Sequence, residues 1–576
     1  MLDLSGKRQE ILDAKGNLLV VGGPGSGKTT IALLKADHEI HKGALRPGQK
    51  ILFMSFARAT ISRVEQHAKG ILKLSDTSSI EITTYHSFIW TVLRSHGYLI
   101  SPHKVRILPP HDASVRLSSF ATADRTAEKE RLFREEGLLH FDLFAKQCTE
   151  LLSRSVALSK IIAAAYPVII LDEFQDTNKD AWSLITHLGQ RSTLIALADP
   201  DQRIYDFQGA DPARVGHFIE KFKPTEFDFG TENNRSNGTD IVEFGNDLLA
   251  GRNKGKEYKD VRVAKYTPMK KNAHLTSLKR YILKRVAANK DEKDWSLAIL
   301  TPTNRLMVAV SSYLSERHTL KNGCVLPSIS HEVAIDPFGP SIAATAIARI
   351  LESASQQKCD LADLVHVLCE HILGRRGGNN CIPKSDQDLA TVLAEYVADG
   401  DYSKDIRGSV RKATVEECKS IVEQSNNIQF AGDVATDWRK VRGVLSVATT
   451  ACIKKLFEDT MYIKLLHRGS VLNSSLAQIW RSNGNYSGAT EAVQNAITQE
   501  HFSVSSKTWS GVNVMTIHKA KGKEFDEVII YEGVHDGRIV VGNDLDRAKL
   551  NLRVATTRAK SQAIIMTPNS KPCELL

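Results

Sequence analysis

Short apolar runs rich in valine and isoleucine recur along the chain, at Leu18 to Gly22, Ile51 to Phe56, Ile80 to Thr83, Val168 to Asp172 and Leu194 to Ala198, with stretches of helical period between them. Near-continuous runs of this kind suit strands covered on both faces, so the alternation predicts a parallel α/β sheet. A second set, Leu297 to Thr301, Val512 to Ile517, Val528 to Tyr531 and Ala563 to Thr567, predicts a second sheet of the same class. From Ile342 to about Phe502, Ala, Leu, Lys, Glu and Ser dominate, which reads as a helical segment splitting the second α/β domain. A shorter segment, about Gly97 to Ala163, splits the first in the same way. The expected organisation is a first domain over 1–96 and 164–225 with an insertion at 97–163. A second domain over 226–345 and 503–576 carries an insertion at 346–502.

Length agrees with this, since 576 residues suit roughly four domains. An apolar share of 42% and a charged share of 25% exclude collagen-like and wholly disordered chains. The net charge of +10 is concentrated: residues 251–290 hold 13 Lys or Arg against Glu257 and Asp260, which leaves the rest near neutral. One basic stretch is what a phosphate backbone would meet, although a solvated basic helix and loop would read the same way. The eight cysteines include no C-x-x-C pair, and Cys359, His366, Cys369, His371 and Cys381 match no zinc or iron–sulfur spacing. Buried free thiols in a reducing cytoplasm are therefore expected. The start, MLDLSGKRQEIL, lacks an apolar signal core, and no 18 apolar residues run together, so neither export nor a membrane span is expected.

The chemistry is written most clearly after the first strand. Gly22-Gly23-Pro24-Gly25-Ser26-Gly27-Lys28-Thr29, followed by Thr30, satisfies G-x-x-x-x-G-K-[ST] between a strand and a helix. Glycines let the backbone wrap a phosphate, the helix start adds its positive end, Lys28 reaches the β- and γ-phosphates, and the Thr29 hydroxyl holds Mg²⁺. Val168 to Leu171 then deliver Asp172 and Glu173 to the carboxyl end of the sheet. Asp172 is placed to act on the magnesium, and Glu173 to orient and deprotonate water. ATP and Mg²⁺ are the expected nucleotide and metal.

Extended to Asp172-Glu173-Phe174-Gln175-Asp176-Thr177-Asn178, this motif closely resembles the UvrD/Rep-type helicases of superfamily 1. Residues 197–210 (LADPDQRIYDFQGA), 232–236 (ENNRS), 514–525 (VMTIHKAKGKEF) and 554–560 (VATTRAK) look like that family's later motifs, in order. The resemblance implies two RecA-like parallel-sheet motor domains, each interrupted by a mainly helical insertion. Arg235 and Arg558 match arginine fingers, Gln202 a γ-phosphate sensor and Glu524 a ribose-binding carboxylate. By similarity, single-stranded DNA would meet the segments Ser55 to Arg58 and Thr84 to Phe88, with Phe56, Arg58, His86, Tyr205, Phe207, His518 and Lys519 as the contacts.

The sequence also departs from the family pattern. Arg8 stands where an adenine-reading glutamine is usual, with Gln9 beside it as the nucleotide contact. Asn234 replaces a stacking tyrosine, Gln208 an arginine and Arg553 a tyrosine. Only 18 residues follow Arg558 and the first insertion is short, so no fused nuclease is expected. In this the chain looks like the helicase-like subunit of Gabija anti-phage systems, which works beside a separate nuclease. Three readings use the same residues: a 3′ to 5′ motor on single-stranded DNA, a DNA-end-sensing NTPase that switches a partner nuclease, and an RNA-directed motor.

Overall fold

The computed structural model describes residues 6–43, 45–56, 58–73, 76–118, 120–121, 123–202, 211–230, 235–267, 275–292, 294–320, 323–334, 338–375, 382–398, 400–402, 406–460, 471–502, 509–542 and 544–576. They fall into two compact units. The first spans Met1–Leu93, Ala145–Ile335 and Val504–Leu576 and contains both expected sheets.

In the first sheet, the apolar runs become β1 (Leu18–Val21), β2 (Ile51–Ser55), β3 (Ile80–Thr84), β4 (Val168–Leu171), β5 (Thr193–Ala198) and β6 (Thr225–Asp228). Their order is β3-β2-β4-β5-β1-β6 and every pairing is parallel. Leu18, Val20, Phe53, Ile170 and Leu197 are buried in one core cluster with Ile31 and Leu33 of the following helix. Leu19, Leu52, Met54, Ile169 and Ala196, which strand alternation sends to the opposite face, are buried as well, so the runs are apolar throughout rather than alternating. Helices α1 (Lys7–Asp13), α2 (Lys28–His41), α3 (Arg58–Ile71) and α4 (Tyr85–His96) accompany these strands.

The second sheet comprises β7 (Val261–Tyr266), β8 (Ser296–Thr301), β9 (Glu332–Ala334), β10 (Gly511–Thr516), β11 (Phe525–Tyr531) and β12 (Ala559–Pro568), in the parallel order β9-β10-β8-β11-β12-β7. Two clusters cover its faces, one around Phe244, Phe525 and Leu552, the other around Tyr266, Trp295 and Tyr531. Helices α5 (Ile241–Ala250), α6 (Leu275–Ala288), α7 (Ile517–Ala520) and α8 (Leu545–Thr556) belong to it.

The second unit, Arg94–Phe144 with Asp336–Ser503, joins the two insertions and is almost wholly helical. A Cβ added at Gly374 would lie 2.5 Å from Ile342 and 3.1 Å from Val115, so glycine permits a close approach between the insertions. Asp437, fully buried, accepts hydrogen bonds from Tyr486 Oη at 2.9 Å and from the main chain of Ala431 and Gly432, which supplies the partners a buried carboxylate needs.

The unit boundaries fall differently from the expected ones. β6 extends the first sheet past residue 225, because Phe227 is needed to cover that core. Residues 145–163 join the first unit as helices leading into β4. The helix Phe338–Ser355 runs unbroken through the expected limit at 346. The seven described cysteines are free, and among the described residues no helix is long and apolar enough to cross a membrane.

Candidate active site

The parallel order sets the carboxyl ends of β2, β4, β5 and β1 side by side, which brings four chemical groups together. After β1, the chain turns through Gly25 and Gly27 at φ of 75° and 90°, values that side chains with a Cβ rarely adopt, and enters α2 at Lys28. A Cβ at Gly22 would come within 2.7 Å of Ser26 Oγ and 3.1 Å of Phe229 Cβ, so a side chain there would force the loop's neighbours to shift. Lys28 Nζ donates to the carbonyls of Gly22 at 2.6 Å and Gly23 at 2.9 Å. Burial lowers the pKa of this ammonium, against the opposing pull of Asp199, Glu173 and Asp172.

After β4, Asp172 is buried and accepts from Ser55 Oγ at 3.1 Å. Glu173 follows at φ 53°, a left-handed conformation costing a non-glycine residue on the order of 1–3 kcal/mol. This turn sets its carboxylate beside Gln175 Nε2 at 2.6 Å and Lys521 Nζ at 3.6 Å. Burial alone would raise the Glu173 pKa, but Lys521, Lys28 and Arg558 outweigh it and hold the carboxyl below its usual range.

A cavity of about 360 Å³ has Lys28, Thr29 and Thr30 on one wall, and Arg235, Glu524 and Arg558 from the second sheet's side of the unit on another. Asp172, Glu173, Gln202, Gly25, Ser26 and Gly27 also line it, while Gly22 and Gly23 shape the loop behind. Arg558 Nη2 donates to Gln202 Oε1 at 3.1 Å, and Arg235 is paired with Glu524 at 2.8 Å. Ser26 Oγ is buried with no hydrogen-bond partner among the described residues, an unmet polar group at the floor of a cation-rich cradle. This donor set fits a polyphosphate. The hydroxyl of Thr29 and the carboxylate of Asp172 are hard oxygen ligands of the kind Mg²⁺ takes.

Other expected contacts are placed differently. Gln9 is exposed, donates to Asp13 Oδ2 at 2.9 Å and does not line the cavity, because a side chain one turn away on α1 satisfies its amide first. Arg8, beside it, lies over the Phe229 ring at 5.4 Å. Ser55, read as a strand contact, instead serves Asp172. The Phe56 ring stacks on Tyr85 with centroids 4.1 Å apart, so one of its faces is already covered. Phe88 is buried against Tyr166. His86, His518 and Lys519 are half-buried, and burial lowers the His518 pKa. Tyr205, Phe207, Gln208, Asn234 and the Arg58 side chain lie outside the described residues. Arg553 is buried within 3.8 Å of both Asp199 and Asp201 and donates to Asn246, so its charge ties the segment after β5 to α5 and α8.

Lys521 was missed from sequence, although it stands within the segment 514–525. Its ammonium, buried, meets the carboxylate of Asp176 and donates to the Gln202 carbonyl at 2.8 Å. The replacement Lys521→Gln removes the strongest attraction on the Glu173 carboxylate, so that carboxyl titrates at higher pH. The acid limb of the kcat profile should then move upward in pH, with the deficit largest in acid and shrinking as pH rises. An unmoved limb in a folded variant would show that Lys521 does not act through Glu173.

Residues 5–136 and 121–223 match the family model described as the UvrD/REP helicase N-terminal domain, and residues 453–570 that of the UvrD-like helicase C-terminal domain. YjcD of Bacillus subtilis, provisionally named an ATP-dependent DNA helicase, is 20% identical over 97% of this chain and 78% of its own length. The ATP-dependent DNA helicase Rep of Escherichia coli is 23% identical over 42% of this chain and 43% of its own. UvrD1 of Mycobacterium tuberculosis, also named an ATP-dependent DNA helicase, is 23% identical over 44% of this chain and 40% of its own. The chain thus spans most of YjcD but less than half of the other two. A Pif1 helicase structure from Candida albicans overlaps 55% of each chain at 13% identity and a TM-score of 0.28, too slight a likeness to bear on the fold.

Proposed function

The chain belongs to the UvrD/Rep family of helicases, and from that premise we propose that it hydrolyses ATP with Mg²⁺ in response to single-stranded DNA and moves along the strand 3′ to 5′. The observation that carries this reading is the cavity in which Lys28, Thr29, Asp172 and Glu173 face Arg235, Glu524 and Arg558. In this reading the loop amides and Lys28 bind the β- and γ-phosphates, and Arg235 and Arg558 meet the charge that develops on the transferred phosphoryl group. Glu173 takes the proton of the attacking water. Mg²⁺ held by Thr29 and Asp172 would neutralise phosphate oxygens. Because the loop from the first sheet and Arg235 and Arg558, held beside elements of the second, line one cavity, each hydrolysis would alter how the two sheets are held, which is what stepping requires. Tracking along the strand is assigned to His86, His518 and Lys519 by resemblance.

The test is steady-state hydrolysis of ATP and of GTP by the purified chain with and without single-stranded DNA. Stimulation of roughly tenfold or more, a barrier change of about 1.4 kcal/mol, is expected with ATP. Slow hydrolysis indifferent to DNA would overturn the motor reading.

A second reading, a DNA-end-sensing NTPase that activates a separate nuclease in anti-phage defence, is favoured by Arg553. Its hydrogen bond to Asn246 and its closeness, 3.8 Å, to Asp199 and Asp201 add a charged tie between the two sheets' elements, which would suit a switch more than repeated stepping. Processive strand displacement by the isolated chain would count against it.

A further inference from the structure

The basic stretch 251–290 is left unused by the site just described. Part of its charge is neutralised in place: Lys256 pairs with Glu243 and Asp247, Arg252 with Asp247, and Arg285 with Glu527. Lys279 is buried, donating to the carbonyls of Tyr313 and Leu314. What remains is a set of exposed cations, Lys254, Lys259, Arg262, Lys265, Arg280, Lys284 and Lys290, none with a carboxylate partner among the described residues. Lys270 and Lys271 lie outside those residues.

The fold gathers this set at one place. β7 is the last strand of its sheet, paired with β12 on one side only. Ala264 and Tyr266 face the core on the α6 side and Val261 faces the opposite one, so strand alternation sends Arg262 toward α6 and Lys265 to the other face of the same edge. Arg262 lies near enough to Tyr281 of α6 to influence its hydroxyl electrostatically. Arg280 adjoins Tyr281, and Lys284 follows Arg280 by four residues, on the same exposed face of α6.

We propose that this edge, with Arg262, Lys265, Arg280 and Lys284 at its centre, binds the phosphate backbone of double-stranded DNA, as a surface separate from the single-strand track. Separation follows from the sheet: β10, which leads to His518 and Lys519, lies four strands from β7, about 19 Å away at the usual spacing. Duplex is favoured over single strand because no fully exposed aromatic ring stands among the described residues of this edge, Tyr281 of α6 being half-buried. Tyr266 is buried, while Tyr258 is half-buried, hydrogen-bonded to Asp247 and packed edge-on to Phe244. An added protein strand is disfavoured, since Lys and Arg on an edge strand oppose β-pairing. This proposal rests on the DNA reading above but not on hydrolysis.

The test is fluorescence anisotropy with the full chain, over a salt series, on a single strand of about 10 nucleotides and on that strand extended by about 20 base pairs. The parent should bind the extended ligand more tightly. A variant carrying Arg262→Glu, Lys265→Glu, Arg280→Glu and Lys284→Glu should lose roughly tenfold or more on the extended ligand, flatten its log–log salt slope by about 3 to 4, and leave single-strand binding unchanged. The milder replacement of all four by Gln, with an unshifted thermal transition, should give a smaller loss in the same direction. Equal losses on both ligands, or none on either, would overturn the proposal. If the parent binds no single strand and shows no DNA-stimulated hydrolysis, the motor reading fails. Duplex binding abolished by the same variant would still uphold the edge.

Discussion

Replacing Glu173 with glutamine should cut ATP turnover by about 10²- to 10⁴-fold, the usual contribution of a positioned general base, while nucleotide affinity stays within roughly twofold. The substitution keeps shape and the hydrogen bond to Gln175, so what disappears is the negative charge beside Lys521 and, with it, the ability to accept a proton. The geometry around Glu173 suits that role. The left-handed turn at Glu173 costs energy that an ordinary surface residue would not retain, and three cations hold the carboxyl ionised against burial. Since its pKa lies below the usual carboxylate range, parental turnover should hold through neutral pH and decline only in more acid solution. Single-turnover kinetics beside equilibrium binding of a fluorescent nucleotide would separate chemistry from affinity. A variant with parental turnover would exclude Glu173 as the base.

Lys28→Ala should abolish measurable hydrolysis and also weaken nucleotide binding, a double loss that distinguishes it from Glu173→Gln. The ammonium donates to the carbonyls of Gly22 and Gly23 within the glycine-rich loop, which under the proposed function receives the β- and γ-phosphates. Removing a preorganised charge aimed at phosphoryl oxygens costs on the order of 10²- to 10³-fold in turnover alone. Lys28→Arg should fail to rescue, because a planar guanidinium does not fit a point-charge site closed by main-chain atoms. Because burial lowers the lysine's pKa, parental activity should fall at a lower alkaline pH than an exposed lysine would allow. Retained binding in the alanine variant would move the phosphate site elsewhere.

Much of this was legible because it is local. The phosphate loop needs only a strand, two glycines in left-handed conformations and a helix start, all within residues 18 to 30. The run Val168 to Leu171 announces Asp172 and Glu173 because a strand buried on both faces must be apolar until it reaches its carboxyl end. Edge elements were harder to read. β7 carries Arg262 and Lys265 among its apolar residues and β9 is only three residues long, so neither shows the continuous run that marks a central strand.

The amino-acid sequence by itself made the buried strands, the glycine-rich loop and the carboxylate pair legible, since each is marked by a pattern of neighbours a few residues apart, although the strands pair across long separations. Tertiary structure alone decided what depends on distant partners. It paired Lys521 with Asp176 across 345 residues, turned Gln9 away from the cavity, closed Phe56 against Tyr85 and drew the insertions into one helical unit. It also determined which charges of the 251–290 stretch stay free, because neutralisation there depends on Glu243, Asp247 and Glu527 arriving from other elements. Local periodicity records which face of an element is buried, but not which charge from elsewhere in the chain will meet it.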